Sequence, residues 1–160
     1  MKSDEPLLQH LLELLSGGNA HTTFEDAVKA VPIAKAGERP EGSPHSAWEL
    51  LEHLRLAQHD ILKFSEGPGW HSAKWPEGYW PASPKPESAA AWRDSVSAFR
   101  ADRAAFEKLL RQRFSDIYTP FPWGDGQTLL REALLIADHN AYHIGQLVLV
   151  RRLLGVWPGE

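Results

Sequence analysis

The sequence predicts an all-α protein, and three observations support this. Apolar residues recur at three- and four-residue spacing along four long segments, which is the period of an amphipathic helix. Residues that cap helices precede these segments, and glycine or proline follows most of them. No segment shows the alternating pattern of a strand, and no internal repeat is present. The 160 residues fit one domain, residues 1–160, arranged as a four-helix bundle.

The N-terminal part contains one main helix and one short helix. The leucine-rich segment 7–15 forms the first main helix, which ends at a pair of glycines. Thr22 or Thr23 can cap a short second helix, which Pro32 ends. Residues 34–45 follow as a polar linker, because proline and glycine stand there at turn positions.

The second main helix begins at Ser46 and runs to about Phe64. Ser46 and Glu49 have the spacing of a capping box, in which each side chain bonds to the other residue's backbone. At 100° per residue, His53 lies at the rim of the apolar stripe, whereas His59 lies on the polar side. We therefore expect His53 to point inward and His59 to face water.

The next segment, residues 65–85, has no helical period and is long for a connection in a compact domain. It contains four aromatic residues that argue against disorder: Trp70, Trp75, Tyr79 and Trp80. One interpretation is a long crossover held in place by its aromatic side chains. The other is that these side chains form the wall of a pocket.

Two long helices complete the predicted bundle. Pro86 opens the third main helix, residues 86–114, in which Arg103 occupies a position of the apolar seam. Arg103 either extends to the surface or binds a substrate carboxylate. The last helix begins near Gln127 or Thr128 and is apolar on nearly every side. This is typical of the most buried helix of a bundle, or of one that also forms a dimer interface.

The last helix carries the most informative motif, two histidines four residues apart. His139 and His143 lie one above the other on one helical face, so both imidazoles can bind the same metal ion. The zinc-protease signature is absent, because Asn140 stands where that motif has its glutamate. The pair therefore indicates a metal without indicating a reaction.

His53 supplies a possible third ligand from the second main helix. Together with His139 and His143 it can point into one cavity of the bundle, where such folds place their metal sites. Three neutral imidazoles leave coordination positions open, which is the pattern of a catalytic site. The alternative is that the bundle binds no metal, with His139 and His143 as hydrogen-bonded core residues and His53 at the rim.

Four further residues lie near these histidines in sequence. Asp60 and Glu49 share the His53 side of their helix, and Glu132 is two turns before His139. Each carboxylate could orient an imidazole or act as a base, but each is also explained as a solvated or capping charge. Tyr142 is about 100° from the histidine face, so we expect it to pack.

Composition excludes several classes of function. The net charge of −4 and the dispersed basic residues give no reason to expect a nucleic-acid partner. The absence of cysteine excludes disulfides, thiolate nucleophiles and cysteine-type zinc sites. No apolar run approaches the roughly 20 residues of a membrane span, and the acidic N-terminus does not resemble a signal peptide. We therefore expect no membrane association and a cytoplasmic location.

The complete pattern resembles the DinB family of small bacterial helical-bundle proteins. The resemblance rests on the histidine within SAWELLEHLRLAQHDIL, on the H-x3-H-x-G-Q motif that ends at Gln146, on HTTFEDAV and on the final LLG. It covers nearly the whole chain. It implies an up-down-down-up bundle with a long crossover between the second and third main helices, and often a homodimer. It also implies a divalent metal held by His53, His139 and His143.

The resemblance further implies a class of chemistry. The family includes S-transferases and isomerases that use low-molecular-weight thiols, so we expect a small-molecule substrate, such a thiol, and zinc or nickel as the metal. The activity would be that of a metal-dependent transferase or hydrolase. The alternative is a non-catalytic metal-binding module or a stress-related interaction module.

Overall fold

The computed structural model describes residues 5–158. Within this range the chain is helical and contains no strand, apart from one isolated bridge between Pro120 and Thr128. The helices are α1 (Glu5–Ser16), α2 (Phe24–Val28), α3 (Ile33–Ala36), α4 (Ala47–Glu66), α5 (Ala89–Gln112) and α6 (Leu129–Leu153). Short 3-10 turns cover Glu77–Tyr79 and Phe114–Asp116. No helix in the described range is long and apolar enough to cross a membrane.

Side-chain caps fix where four of the helices begin, α2, α4, α5 and α6. The predicted capping box of α4 is confirmed: Ser46 Oγ accepts from Glu49 N at 3.2 Å, and Glu49 Oε2 accepts from Ser46 N at 2.8 Å. Thr23, rather than Thr22, caps α2, and Thr128 caps α6. These caps supply acceptors for backbone N–H groups that have no partner within the helix.

Three predicted boundaries differ from the structure. The helix α2 ends at Val28, with Lys29 as its C-cap, and so stops short of Pro32. The short helix α3 lies where the polar linker was expected to begin, because four residues are too few for a helical period to be detected in the sequence. The helix α5 begins after Ser88, not at Pro86. Ser88 Oγ accepts from Ala91 N at 3.1 Å, so the serine side chain, rather than the proline ring, sets the start of this helix.

The helix α4 packs against both α5 and α6, and α1 packs against α5 and α6. Trp48 meets Trp92 near the start of α4 and α5, and His59 meets Asp102 further along both helices. These pairs show that α4 and α5 run in the same direction. A parallel pair needs a long connection, and residues 67–88 provide it.

The helix α6 runs opposite to α4, since His53 contacts His143 while Gln58 contacts the earlier Asn140. These four residues are buried and form a polar layer that crosses the core. One apolar cluster on α4 and α6 includes Leu50, Leu51, Leu54, Ile144, Leu147 and Val150. The second includes Leu62, Leu129, Ala133 and Ile136. The polar layer therefore separates two apolar halves of the molecule.

A fully buried arginine fastens the end of α2 to α6. Arg151 is 0% exposed and donates to the backbone oxygens of Asp26, Ala27, Lys29 and Val156 at 2.8–3.1 Å. Carbonyl oxygens at helix ends lack partners within the helix, and this guanidinium supplies donors for them. Burial lowers the pKa of Arg151 from its usual value.

Candidate metal centre

His53 lies on α4 and is 2% exposed. Its Nδ1 donates to the carbonyl oxygen of Tyr79 at 2.8 Å, and its ring stacks on Trp80 with centroids 4.0 Å apart and planes inclined by 2°. A carbonyl accepts only from a protonated nitrogen, so the neutral His53 ring carries its hydrogen on Nδ1. The lone pair of Nε2 is then free, and it faces α6.

His139 and His143 face His53 from α6. Their ring centroids are 4.5 Å apart, and His139 Nε2 lies 3.1 Å from His53 Nε2. His143 Nδ1 donates to Gln146 Oε1 at 2.8 Å, which leaves the Nε2 lone pair of His143 free. The outer nitrogens of His53 and His143 are thus held by protein oxygens, as the ligands of metal sites usually are.

The three histidines form a group in which one ring nitrogen of each lies within 4.8 Å of the other two. Zinc bound tetrahedrally at about 2.05 Å would hold its nitrogen ligands roughly 3.3 Å apart. The 3.1 Å between His53 and His139 is already close to this spacing. Because each histidine brings one ring nitrogen close to those of the other two, the donor set fits a divalent cation.

The protonation states of the three histidines favour metal binding. Burial, followed by the nearby His143 and His53, lowers the pKa of His139 to about 4. Burial is also the main cause that lowers the pKa of His143 to about 4, and burial lowers the pKa of His53. All three imidazoles are therefore neutral at pH 7, which is the form that binds metals.

The three carboxylates considered from the sequence lie outside this group. Glu49 is occupied by its capping box and by an ion pair with Arg39. Glu132 is 2% exposed and pairs with Arg131, and its burial raises its pKa. Asp60 accepts hydrogen bonds from the long connection between α4 and α5. Among the described residues the group contains the three histidines and no carboxylate.

Asp60 of α4 holds the connection between α4 and α5, residues 67–88, which we call the Trp-rich loop. Its carboxylate accepts from Trp70 Nε1 at 2.7 Å, from Ser72 Oγ at 3.0 Å and from the Tyr79 hydroxyl at 2.8 Å. The same Tyr79 offers its carbonyl oxygen to His53. Asp60 is thus connected to His53 through Tyr79 of the loop, without a direct contact to an imidazole.

The aromatic residues of this loop divide between the two predicted roles. Tyr79 and Trp80 lie against His53, so they both hold the crossover and wall the centre. Trp75 is 67% exposed and Trp70 is 40% exposed, and both lie on the outer surface.

His45, just before α4, belongs to the surroundings of the centre and was not predicted. Its ring stacks on the face of Trp80 opposite His53, with centroids 3.9 Å apart and planes inclined by 14°. Trp80 is therefore enclosed between two imidazoles. The sequence did contain one indication of its position. His45 directly precedes Ser46, the serine that caps α4 and so fixes the direction in which the chain enters this helix.

The side-chain amides of Gln58 and Asn140 form a hydrogen-bonded chain next to the three histidines. Gln58 Nε2 donates to the Phe99 carbonyl at 2.8 Å, so Gln58 must present its oxygen to Asn140 Nδ2 at 3.0 Å. This orientation leaves Asn140 Oδ1 buried without a hydrogen bond of ordinary geometry. The Asn140 side chain partly opposes the lowering of the His139 pKa that burial causes.

Two other residues singled out in the sequence lie away from the centre. Arg103 pairs with Glu25 at 3.3 Å, so its guanidinium is engaged by a protein carboxylate. The side chain of His59 is 36% exposed and lies between α4 and α5, where its Nδ1 bonds to Asp102 at 2.9 Å, so it faces water only in part. Neither residue joins the three-histidine group.

The helical fold and the buried imidazoles define a class, that of all-helical proteins with a three-histidine group able to hold a metal ion. The family follows from comparison: the model of the DinB superfamily matches residues 19–147, so the chain belongs to this superfamily. All three histidines lie within the matched range. Comparisons with curated proteins and with solved structures gave no significant match.

Proposed function

We propose that this protein is a metal-dependent enzyme of the DinB type, with a divalent ion held by His53, His139 and His143. The observation that carries the proposal is the fixed protonation of two of these rings. Tyr79 and Gln146 each accept from an Nδ1 atom, so the Nε2 atoms of His53 and His143 carry lone pairs that can bind an ion. Zinc and nickel both suit imidazole ligands and are the metals we expect.

An enzyme is favoured over a purely structural metal site by the number of ligands. Structural zinc sites are closed by four protein ligands, whereas catalytic sites keep a position for water or substrate. The group contains three ligands among the described residues. A non-catalytic metal-binding module or a stress-related interaction module remains the rival, and a fourth protein ligand in a metal-loaded crystal structure would favour it.

We propose that the reaction transfers a low-molecular-weight thiol to an electrophilic small molecule. A bound divalent ion would lower the pKa of a thiol or water that joins it, which supplies a nucleophile at neutral pH. The chain itself contributes neutral, buried ligands and an aromatic wall, which exclude water and strengthen electrostatic interactions. Support for a thiol, rather than water in a hydrolase, comes from family membership.

We also propose the up-down-down-up arrangement of α1, α4, α5 and α6, and a homodimer. The parallel α4–α5 pair and the antiparallel α6 support this arrangement. Three exposed apolar side chains lie along one side of α6, Tyr142, Leu149 and Leu153, at 64%, 56% and 56% exposure. An exposed apolar stripe is typical of an interface. Sedimentation equilibrium would test this, with Leu149→Lys expected to shift the protein towards monomer.

Metal binding is tested by calorimetric titration of chelator-treated protein with Zn²⁺ and with Ni²⁺. We expect one ion per chain for the wild type and negligible binding for the double variant His53→Ala, His139→Ala. His59→Ala is the matched control, since it removes a histidine of the same helix outside the group, and it should bind like the wild type. Equal and negligible binding by wild type and double variant would refute the metal centre.

Catalysis is tested separately with thiols and a model electrophile. The metal-loaded protein should accelerate conjugation of a small thiol to monobromobimane, and the rate should fall to background with a chelator and in His53→Ala. Restoration of the rate by added metal would exclude damage by the chelator. A rate that persists without metal would contradict the proposed mechanism.

A further inference from the structure

A groove of about 530 Å³ lies between α5 and the segment that contains α2 and α3. The residues that α5 contributes are mostly three or four positions apart and so share one face of the helix: Ala89, Trp92, Arg93, Val96, Ser97 and Arg100. The helix α4 contacts another face of α5, through Ser95 and Asp102. None of the three histidines lines the groove, so it is separate from the metal centre.

The wall opposite α5 runs back along this helix. Glu25, in the first turn of α2, pairs with Arg100. Gly37, at the end of α3, packs so closely on Lys85 that a Cβ atom at position 37 would overlap the Lys85 side chain. The start of α2 therefore lies beside Arg100, and α3 lies towards the start of α5. The stretch from Ala89 to Arg100 is about 16 Å long at the helical rise, so the groove is elongated.

The floor of the groove is apolar. Its side chains are Val28, Val31, Ile33, Trp92 and Val96. Ile33 is half-buried and the other four are buried. All five belong to one apolar core cluster or pack against it, so the floor is a firmly packed part of the molecule. A hydrocarbon group that lies on this floor is removed from water, which favours its binding.

The α2 side of the groove is fixed from behind. Arg151 donates to the carbonyl oxygens of Ala27 and Lys29 at 2.8 and 2.9 Å. Ala30 follows with a φ of 54°, a left-handed conformation that is uncommon outside glycine and persists where surrounding contacts fix it. The backbone thus presents Lys29 and Val31 in one arrangement before a ligand arrives, which reduces the entropy that binding costs.

The rim of the groove is positively charged. Lys29, Arg93 and Arg100 line it together with one carboxylate, that of Glu25, although the whole chain has a net charge of −4. Arg100 is already paired with Glu25. Lys29 and Arg93 are exposed, and neither side chain has an ion-pair or hydrogen-bond partner among the described residues. Two unpaired cations therefore stand at the edge of an apolar floor.

We propose that this groove binds a single-chain amphiphilic anion, of which a medium-chain fatty acid is the simplest. Its carboxylate pairs with Lys29 and Arg93, and its chain lies on Val28, Val31 and Val96. A neutral hydrocarbon would leave both cations unpaired, and a small anion would leave the floor in water. At about 30 Å³ for each non-hydrogen atom the volume holds roughly 17 atoms, which is enough for one chain. The site is independent of the metal centre.

The probe for this site is decanoate, added below its micelle concentration in an NMR titration of the full chain. The methyl signals of Val28, Val31, Ile33 and Val96 should shift and saturate together. Decyltrimethylammonium has a chain of the same length and the opposite charge. It should bind about tenfold more weakly, because repulsion replaces two exposed ion pairs. Equal binding of the two probes, or no saturable shift with decanoate, would overturn the proposal.

Chain length tests the apolar floor. Binding should tighten at least about tenfold from hexanoate to decanoate, because each further methylene group that leaves water adds to the affinity. Equal affinity for the two carboxylates would mean that the rim alone holds the anion, and it would refute a site for an amphiphile.

Two double variants test the rim. Lys29→Gln with Arg93→Gln should weaken decanoate binding about two- to thirtyfold, the value of two exposed ion pairs. The matched control is Lys108→Gln with Arg111→Gln, which removes two exposed cations of α5 outside the groove and should bind like the wild type. All four positions are exposed, so both variants should fold. An equal loss in both would show that decanoate responds only to the net charge, and the proposal would fail.

A second copy of the chain is the competing occupant of the groove. If the four methyl signals move with protein concentration and do not respond to decanoate, the groove belongs to an interface and the proposal is wrong. Shifts that follow decanoate at constant protein concentration, equally in metal-free and zinc-loaded protein, support a separate site. Shifts that occur only with bound zinc would tie the ligand to the metal centre and overturn the assignment.

Discussion

Replacement of Asp60 by alanine tests whether the Trp-rich loop controls the metal centre. The Asp60 carboxylate accepts three hydrogen bonds from Trp70, Ser72 and Tyr79. A hydrogen bond to a charged group contributes about 1.5–3 kcal/mol. Trp70 and Ser72 are exposed, so water replaces much of what they lose, and the Tyr79 hydroxyl dominates. The variant should therefore lose about 2–4 kcal/mol of loop stability.

Hydrogen exchange measures this loss locally. The amides of Gly78, Tyr79 and Trp80 bond to carbonyl oxygens within the loop, so they are protected while the loop is closed. At about 1.4 kcal/mol per factor of ten, their exchange should accelerate roughly 30- to 1000-fold in Asp60→Ala. Amides in the middle of α5 should exchange as before, because the loop opens without unfolding the helices.

The matched control for this experiment is Tyr79→Phe. It removes only the hydroxyl group and leaves the carbonyl that holds His53, so it should accelerate exchange roughly 10- to 150-fold, the value of one hydrogen bond to a charged group. In Asp60→Ala the zinc affinity should also fall, by about tenfold, because His53 loses a firmly placed acceptor. If loop exchange stays at the wild-type rate in Asp60→Ala, the loop is held by other contacts and the reasoning is wrong.

Three further predictions follow from buried polar groups. The folded-state pKa of about 4 for His139 and His143 lies below the ordinary 6.5, so the unfolded chain binds protons first as the pH falls. Urea unfolding of the metal-free protein should thus show stability falling from pH 6.5 towards pH 4, and a constant stability over this range would contradict the shifts. Arg151→Met leaves four carbonyl oxygens without their donor and should cost about 3 kcal/mol or more in urea unfolding. A cost well under about 1 kcal/mol, the usual effect of a surface substitution, would refute the structural role of Arg151. Asn140→Leu should weaken zinc binding about tenfold in calorimetry if the Asn140 oxygen orients His139, and an unchanged affinity would exclude this role.

Local chemistry explains which parts of the fold the sequence predicts. The start of α4 is predicted because Ser46 and Glu49 satisfy each other's backbone within four residues. The helix α3 was missed because its four residues hold no periodic pattern, and α5 was placed too early because Pro86 and Ser88 are both start signals. Where two such signals compete, as Pro86 and Ser88 do, the start is set by the residue whose side chain forms the capping hydrogen bond.

The candidate site also has a part that local sequence patterns predict and a part that they do not. His139 and His143 share a helical face, and the phase of His53 in its own helix separates it from His59, so the group follows from periodicity. The Tyr79 carbonyl and the stacked Trp80 come from a loop whose path no periodicity encodes. His45 was missed for the same reason, as its position depends on Trp80.

The distance between the ligands along the chain has a consequence for the lifetime of the protein. His53 and His139 are 86 residues apart, so an unfolded chain does not present the three imidazoles together. An ion that binds only the native state stabilises it by about 2.7 kcal/mol at one hundred times its dissociation constant. Metal supply would then set the fraction of chains open to proteases. Scarcity of the ion would shorten the survival of the protein as well as its activity.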